Sequence, residues 1–236
     1  MSVWAILVAA GRGERLGTDQ PKAFAKLGGQ PLLAEPLRRL DESQWVDAIV
    51  VVAPPGWEEP VILLAEELGC GKVRACVAGG AERSDSVRAG LAEVPEEAVA
   101  VLVHDAARPL LTDDVVERVL APLGDGWDGA VPALPVADTL KRAGSDGSVV
   151  ETVARDGLWA VQTPQAFPAQ TLRRAIDGGG SATDCAGLVE AAGGRVKIVA
   201  GDPQLAKVTT ADDLARVASL LSAPESASHF PGAPER

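Results

Sequence analysis

The stretch that decides the fold is "VWAILVAAGRGERLGTDQPKAF", residues 3–24. It begins as an apolar run and passes into a glycine-rich turn followed by Arg15 and Lys22. The run is shorter than the roughly 20 residues that span a bilayer and has no basic residue before it, so we interpret it as a buried strand. Gly11 and Gly13 accept backbone angles that turn successive N–H groups toward an anion. A strand that ends in such a loop indicates a phosphate site.

The composition narrows the class of protein. The chain has 236 residues, 47% of them hydrophobic, which is enough for one large domain or two small ones. Its formal net charge of -11 argues against a nucleic-acid partner, because such binding needs basic residues to neutralise phosphates. The three cysteines lack CxxC spacing, so they favour neither a disulfide framework nor a zinc site and indicate a cytoplasmic protein.

Further apolar, β-branched runs alternate with segments of helical spacing. The predicted strands after the first lie at residues 48–53, 73–77, 98–104 and 197–200. The predicted helices lie at residues 36–43, 57–68, 83–94, 113–123, 168–177, 183–192 and 211–221. Continuous apolar strands separated by helices predict an α/β fold with a Rossmann-like, doubly wound and mostly parallel sheet.

One polar excursion interrupts this alternation, at residues 136–158. Within it, "GSDG" separates "TLKR" from "VVETV", which predicts a protruding β-hairpin arm. We therefore predict a single domain over residues 1–221 that includes this arm. The tail at residues 222–236 has too few apolar residues for a core, and we expect it to be disordered.

The glycine-rich loop fits neither of two familiar phosphate motifs. The G-K-[ST] motif of P-loop enzymes is absent, and the dinucleotide motif G-x-G-x-x-G would need glycine where the chain has Leu16. The second mismatch argues against a nicotinamide-dependent dehydrogenase. Two cations beside a cradle of N–H groups instead suit a triphosphate whose charge shifts during reaction.

The order of motifs resembles one family. The first loop with "PKAF" resembles a nucleotidyltransferase signature, and it is followed by "GGAERSDSVRAGL", "VHDAARP", "PVADTLKR", "RDGLWAVQTPQAF", "ATD" and "GDPQLAKVTTADDL". This order is similar to that of the 2-C-methyl-D-erythritol 4-phosphate cytidylyltransferase family, over about residues 3–221. The resemblance implies a nucleotidyltransferase-type fold, CTP and 2-C-methyl-D-erythritol 4-phosphate as substrates, Mg²⁺ as cofactor, and a step of non-mevalonate isoprenoid biosynthesis.

The resemblance also implies roles for particular residues. The catalytic cations would be Arg15, Lys22, Arg155 and Lys207. The nucleotide would contact Ala9, Ala10, Gly11, Gly13, Gly80, Ala81, Ser86, Asp105 and Ala106, and Asp105 would also be the metal ligand. The alcohol phosphate would contact Arg108, Asp138, Thr139, Thr163, Thr183 and Asp184. The arm would hook around a second subunit of a homodimer, so that Asp138, Thr139 and Arg155 line the partner's site.

Four positions depart from the family pattern. Ala81 and Cys185 stand where an acid is frequent, and Leu205 with Ala206 replaces the usual Asn-Ile before Lys207. A base contact made by the Ala81 backbone would survive the change. The contact of the missing Asn would be lost.

Several alternatives share part of these features. A ribitol 5-phosphate cytidylyltransferase would keep the fold and change the alcohol, a guanylyl- or uridylyltransferase would change the base, and a non-catalytic dimer would bind CTP without releasing pyrophosphate.

His104, combined with Ser84 or Ser86, suggests a Ser-His-Asp hydrolase. The sequence has no G-x-S-x-G elbow, so we interpret His104 as structural.

Overall fold

The strand that precedes the glycine-rich loop lies at the centre of the sheet. A computed structural model describes residues 2–11, 13, 20–179 and 182–222 of the chain. The strands are β1 (Val3–Val8), β2 (Lys26–Leu27), β3 (Gln30–Pro31), β4 (Ala48–Ala53), β5 (Val73–Ala78), β6 (Ala100–Asp105), β7 (Gly129–Pro135), β8 (Leu140–Ala143), β9 (Val149–Val153), β10 (Trp159–Val161), β11 (Gln165–Pro168) and β12 (Val196–Ala200).

The main sheet has eight strands in the order β10-β7-β11-β6-β1-β4-β5, with β12 also paired to β7. The four adjacent strands β6, β1, β4 and β5 are all parallel to one another. β11 pairs antiparallel with β6 and β7, and β10 pairs antiparallel with β7. The expected mostly parallel α/β sheet is confirmed.

Helices cover both faces of this sheet. They are α1 (Ala34–Glu42), α2 (Glu58–Glu67), α3 (Arg83–Ala92), α4 (Asp113–Gly124), α5 (Ala169–Asp177), α6 (Cys185–Ala191) and α7 (Ala211–Ser222). Each predicted helix is present, and no end is shifted by more than two residues. Among the described residues, no helix combines the length and the apolar character needed to cross a bilayer.

Side chains that alternate along the central strands divide between two cores. Ile49 and Val51 of β4 join the cluster beneath α1, α2 and α4, while Val50 and Val52 join the cluster beneath α3, α5 and α6. All six residues of β4 are buried. Burial on both faces explains why the sequence shows a continuous apolar run here instead of alternation.

The polar excursion forms the predicted hairpin. β8 and β9 pair antiparallel as a separate two-stranded ladder, with a register shift between Arg142 and Ala143. Most of its side chains are exposed. Its base adjoins the main sheet because β7 precedes it and β10 follows it. The tail predicted to be disordered lies outside the described residues from residue 223 onward.

Candidate active site

The carboxyl ends of the parallel strands β1, β4, β5 and β6 meet around a cavity of about 990 Å³. Open parallel sheets bind ligands at this edge, where the loops leave the strands. The lining comes from segments 8–11, 20–23, 54–55, 79–83 and 105–107, together with Leu32, Trp57, Ser86 and Lys207. Most of the predicted nucleotide-binding residues therefore line one cavity: Ala9, Ala10, Gly11, Gly80, Ala81, Ser86, Asp105 and Ala106.

The floor of the cavity is main chain that continues the sheet. The Ala9 N–H donates to Val52 O at 2.8 Å, and the Gly79 N–H donates to Ala53 O at 2.8 Å. The Ala106 N–H donates to Val8 O at 3.0 Å. Each loop thus begins with one more ladder hydrogen bond, which fixes where it leaves the sheet.

The turn after β5 packs tightly against the loop after β1. A Cβ added to Gly79 would overlap the Ala10 side chain and lie 2.9 Å from Ser86 Oγ. The Ser86 hydroxyl accepts from Gly80 N at 3.2 Å and donates to Glu82 O at 3.2 Å. Glycine at position 79 is therefore required by the close approach of two loops, and the serine locks the turn from behind.

Asp105 is the electrostatic centre of the cavity. Its Oδ1 accepts from Arg83 Nε at 3.2 Å and Nη2 at 3.0 Å, and its Oδ2 accepts from Lys207 Nζ at 2.7 Å. Burial alone would raise the pKa of Asp105, but the charges of Arg83 and Lys207 outweigh it and hold that pKa far below its usual range. The carboxylate is therefore ionised at any physiological pH.

Arg83 is a cavity residue that the sequence analysis did not identify. Besides its two bonds to Asp105, it donates from Nη1 to Cys185 Sγ at 3.4 Å. Burial lowers the pKa of Arg83, and the nearby carboxylate reverses this effect and raises it. Its position in "GGAERSDS", next to the predicted base site, was the one available signal.

Lys22 reaches the same cavity from a single turn of 3-10 helix, Lys22–Phe24. The turn is closed by Phe24 N–H donating to Pro21 O at 2.8 Å. It is tied to the segment before α1 by Leu33 N–H donating to Ala23 O at 2.9 Å. Gly13 lies directly against the Lys22 side chain, and a Cβ there would overlap it. Arg15 lies outside the described residues.

Buried groups beneath Asp105 hold its backbone. Asp105 N–H donates to Thr163 Oγ1 at 3.1 Å, and that oxygen lies 3.1 Å from His104 Nδ1. His104 Nε2 lies 3.0 Å from Arg108 O, a carbonyl that can only accept, so Nε2 carries the proton and Thr163 donates to Nδ1. Burial lowers the pKa of His104 to about 4. These contacts agree with a structural role for His104.

The other predicted substrate residues do not line this cavity within the described structure. Arg108 donates to Leu205 O at 2.6 Å and to Val161 O at 3.4 Å, and Asp184 caps α6 by accepting from Gly187 N at 2.9 Å. Asp184 also accepts from Gln165 Nε2 at 2.7 Å. The exposed remainder is Asp138, Thr139, Arg155 and Thr183.

Two departures from the family pattern have structural counterparts. Leu205 is completely buried in the core cluster under α1, α2 and α4, so the residue at this position packs instead of pointing to solvent. Cys185 is also buried, beside Arg83. Neither change removes a cation from the cavity.

The charges of the cavity fit an anionic ligand that brings its own metal. Among the described lining residues, three cations, Lys22, Arg83 and Lys207, accompany two acids, Glu82 and Asp105, in a chain whose formal charge is -11. Among the described residues, no group of three or more His, Cys, Asp or Glu side chains could hold a metal ion alone. One ionised carboxylate beside phosphate oxygens is nevertheless a usual environment for Mg²⁺.

Comparisons with known proteins agree with this geometry. The family model described as 2-C-methyl-D-erythritol 4-phosphate cytidylyltransferase matches residues 3–223. Enzymes of that name from Frankia casuarinae and Nocardia farcinica are 48% and 47% identical, covering 93% of this chain and 81% and 94% of theirs. The crystal structure of the Thermus thermophilus enzyme superposes with a TM-score of 0.75 at 34% identity, over 93% of this chain and 98% of that one. The chain belongs to the 2-C-methyl-D-erythritol 4-phosphate cytidylyltransferase family.

Proposed function

We propose that the protein joins CTP to 2-C-methyl-D-erythritol 4-phosphate, giving 4-diphosphocytidyl-2-C-methyl-D-erythritol and pyrophosphate in isoprenoid biosynthesis. The observation that carries this proposal is the cavity at the carboxyl edge of the sheet, where the glycine turn after β5 and the cations Lys22, Arg83 and Lys207 meet in a chain of this family. No feature of the cavity favours ribitol 5-phosphate. We also place the protein in the cytoplasm, because a reducing compartment keeps its three cysteines as free thiols.

The cytosine would lie beside the contact between Ala10 and Gly79. Gly80 and Ala81 lie in the cavity lining next to this contact, so a base contact made by the Ala81 backbone would need no acidic side chain there. Ser86 keeps the shape of the turn by its two hydrogen bonds.

The cations would neutralise charge as the bond changes. A phosphate oxygen of the alcohol attacks the α-phosphorus of CTP, the bond to the β-phosphate oxygen breaks, and pyrophosphate leaves with both bonding electrons. Lys22 and Arg15 would hold the α-phosphate and the departing pyrophosphate. Lys207 has three N–H donors, so it can keep its hydrogen bond to Asp105 and still donate to the attacking phosphate.

Asp105 would be the protein ligand of Mg²⁺. Its carboxylate is held ionised by Arg83 and Lys207, which is the form that ligates a metal. A bound Mg²⁺ would neutralise the triphosphate. Glu82 is the other acid among the described lining residues.

We further propose a homodimer assembled through the arm. Val149 and Val150 on the hairpin are 63% and 66% exposed, and Trp159 and Val161 at its base are also exposed. Exposed apolar side chains gathered in this way are typical of an interface. In such a dimer Asp138, Thr139 and Arg155 of one protomer would approach the partner's cavity.

Light scattering tests the proposed dimer. At micromolar concentration it should give twice the mass of the chain.

Pyrophosphate release tests the proposed reaction. The protein is incubated with CTP and Mg²⁺, in parallel with 2-C-methyl-D-erythritol 4-phosphate and with D-ribitol 5-phosphate. We expect turnover with the first alcohol, and its loss when EDTA removes Mg²⁺. Turnover with ribitol phosphate alone would contradict the substrate, and turnover in EDTA would contradict the metal.

Gly79→Ala should weaken CTP binding about tenfold or more, because the added methyl group would overlap the Ala10 side chain and force the two loops apart, and overpacking typically costs about 1–3 kcal/mol. The measurement is the KM for CTP together with a direct titration. Gly71→Ala is the matched control, since a Cβ there meets nothing within 4 Å. Equal affinities for the two variants would show that CTP binding does not depend on the packing of these two loops.

Arg155→Ala should raise the KM for the alcohol phosphate about tenfold and leave the affinity for CTP unchanged, because a charge-assisted hydrogen bond to the phosphate is lost. Arg155 is exposed and donates to Ala137 O within its own chain, so the change should not unfold the protein. Arg142→Ala, another exposed cation on the arm, is the control. A weaker affinity for CTP in Arg155→Ala would contradict the placement of the arm.

A further inference from the structure

Trp57 lies in the wall of the cavity and is used by none of the roles described above. It follows β4 in the turn "PPGW", in which Trp57 N–H donates back to Pro54 O at 2.9 Å. Pro55 and Gly56 occupy the two central positions, and Gly56 has a φ of +81°. Proline followed by a residue of positive φ is the pattern of a type II turn. The turn therefore holds Trp57 in one place.

The Trp57 ring packs against Phe24, two residues after Lys22. The ring centroids are 4.5 Å apart and the planes are tilted by 44°. Such tilted aromatic pairs contribute about 0.5–1.5 kcal/mol beyond the area they bury. Phe24 in turn packs on the core cluster under α1, α2 and α4.

The Lys22 turn is thus held from two sides. Its core side is tied by main-chain hydrogen bonds to the segment before α1, as described above. Its other side carries Phe24, which rests on Trp57. Residues 12 and 14–19 lie outside the described structure, so the inference concerns the contacts made by the residues that follow Lys22 in the chain.

We infer that Trp57 is a positioning residue, which sets the place of Lys22 in the cavity through the Phe24 ring. This inference rests on the proposed role of Lys22. A charge that stabilises a transition state must be held close to its productive position, and displacement by about 1 Å from a remote change can cost on the order of 100-fold in rate. Trp57 would thereby link the loop after β4 to the chemistry without touching the reacting atoms.

Steady-state kinetics of the full-length protein with CTP, 2-C-methyl-D-erythritol 4-phosphate and Mg²⁺ test this inference. We expect Trp57→Ala to lower kcat about tenfold while the KM for CTP changes less than threefold. Trp57→Phe should recover kcat to within about threefold, because a ring remains against Phe24. Trp127→Ala is the matched control, since Trp127 stacks with Arg195 and Lys197 outside the cavity lining.

A double-mutant cycle with Phe24→Ala identifies the route. If Trp57 acts through Phe24, the double variant should be no slower than the slower single variant. Losses that multiply would overturn the inference, as would a raised KM for CTP at unchanged kcat, which would make Trp57 a ligand contact. Should Trp57→Ala fail to fold, Trp57→Leu and Trp57→Phe carry the same test.

Lys22→Ala separates the two possible failures. If Lys22→Ala keeps its turnover, the proposed role of Lys22 fails and the inference fails with it. If Lys22→Ala is slow but Trp57→Ala keeps a normal kcat, the inference alone is wrong.

Discussion

Replacing Lys22 by alanine should lower kcat by on the order of 100-fold or more, as the loss of one preorganised donor to a developing charge does in other enzymes. Lys22 lies in the cavity lining, on a short 3-10 helix closed by a backbone hydrogen bond. Its charge would act on the α-phosphate and the departing pyrophosphate. The expected result is a slow enzyme with a nearly unchanged affinity for CTP, because the interaction strengthens in the transition state.

The measurement is pyrophosphate release at saturating substrates, with a separate titration of CTP binding. Lys26→Ala is the matched control, because Lys26 is exposed and only four residues away on β2. Lys22→Arg should remain well below the native rate, since a forked guanidinium does not replace a compact ammonium. The same loss is expected for Arg15→Ala. Near-normal turnover of Lys22→Ala would contradict the proposed role of Lys22 in stabilising the departing pyrophosphate.

Asp105→Asn should reduce turnover by about 100-fold through a different route. The substitution keeps the size of the side chain and removes the charge that Arg83 and Lys207 share. Its amide NH₂ would face one of the two cations, so at least one of them should move. The proposed Mg²⁺ ligand would also be weakened. We therefore expect a higher Mg²⁺ requirement together with a lower kcat.

The same variant should lose about 1–3 kcal/mol of unfolding free energy, because partly buried cations lose their counter-charge. The folded-state pKa of Asp105 is depressed, so its stabilisation is present above the unfolded-state value of about 4 and is lost as the pH falls below it. Urea unfolding at pH 7 and pH 5 should give the same difference between the two proteins. Asp114→Asn, an exposed acid on α4, is the control. Native turnover in Asp105→Asn would contradict both proposed roles of Asp105, the positioning of the two cations and the binding of Mg²⁺.

β4 and β6 were predictable because both of their faces are buried. A run such as that of β4 is apolar at every position, which few other structures require. The sequence analysis did not predict β7, which reads "GAVPALP". Two prolines and a glycine normally argue against a strand, and here the pairing with β12, β11 and β10 overrides that local preference. Local patterns carry no information about such partners.

The active site also has parts that the sequence predicts and parts that only the fold reveals. Its main-chain elements follow from glycines at strand ends, so the loops around Gly11 and Gly80 were identified from sequence. Arg83 was not, since its partners Asp105 and Cys185 lie 22 and 102 residues away and only the fold brings them together. Thr163 was identified through the resemblance, but the structure shows its hydroxyl holding the Asp105 backbone.

The cavity draws its walls from Val8 at one end of the chain and Lys207 near the other. During synthesis, Lys207 therefore leaves the ribosome last among the lining residues, long after the β1 loop. A nascent chain cannot assemble the complete binding surface until nearly all of it has emerged. Since a ligand stabilises only the state that binds it, the nucleotide would favour the finished protein over every shorter intermediate.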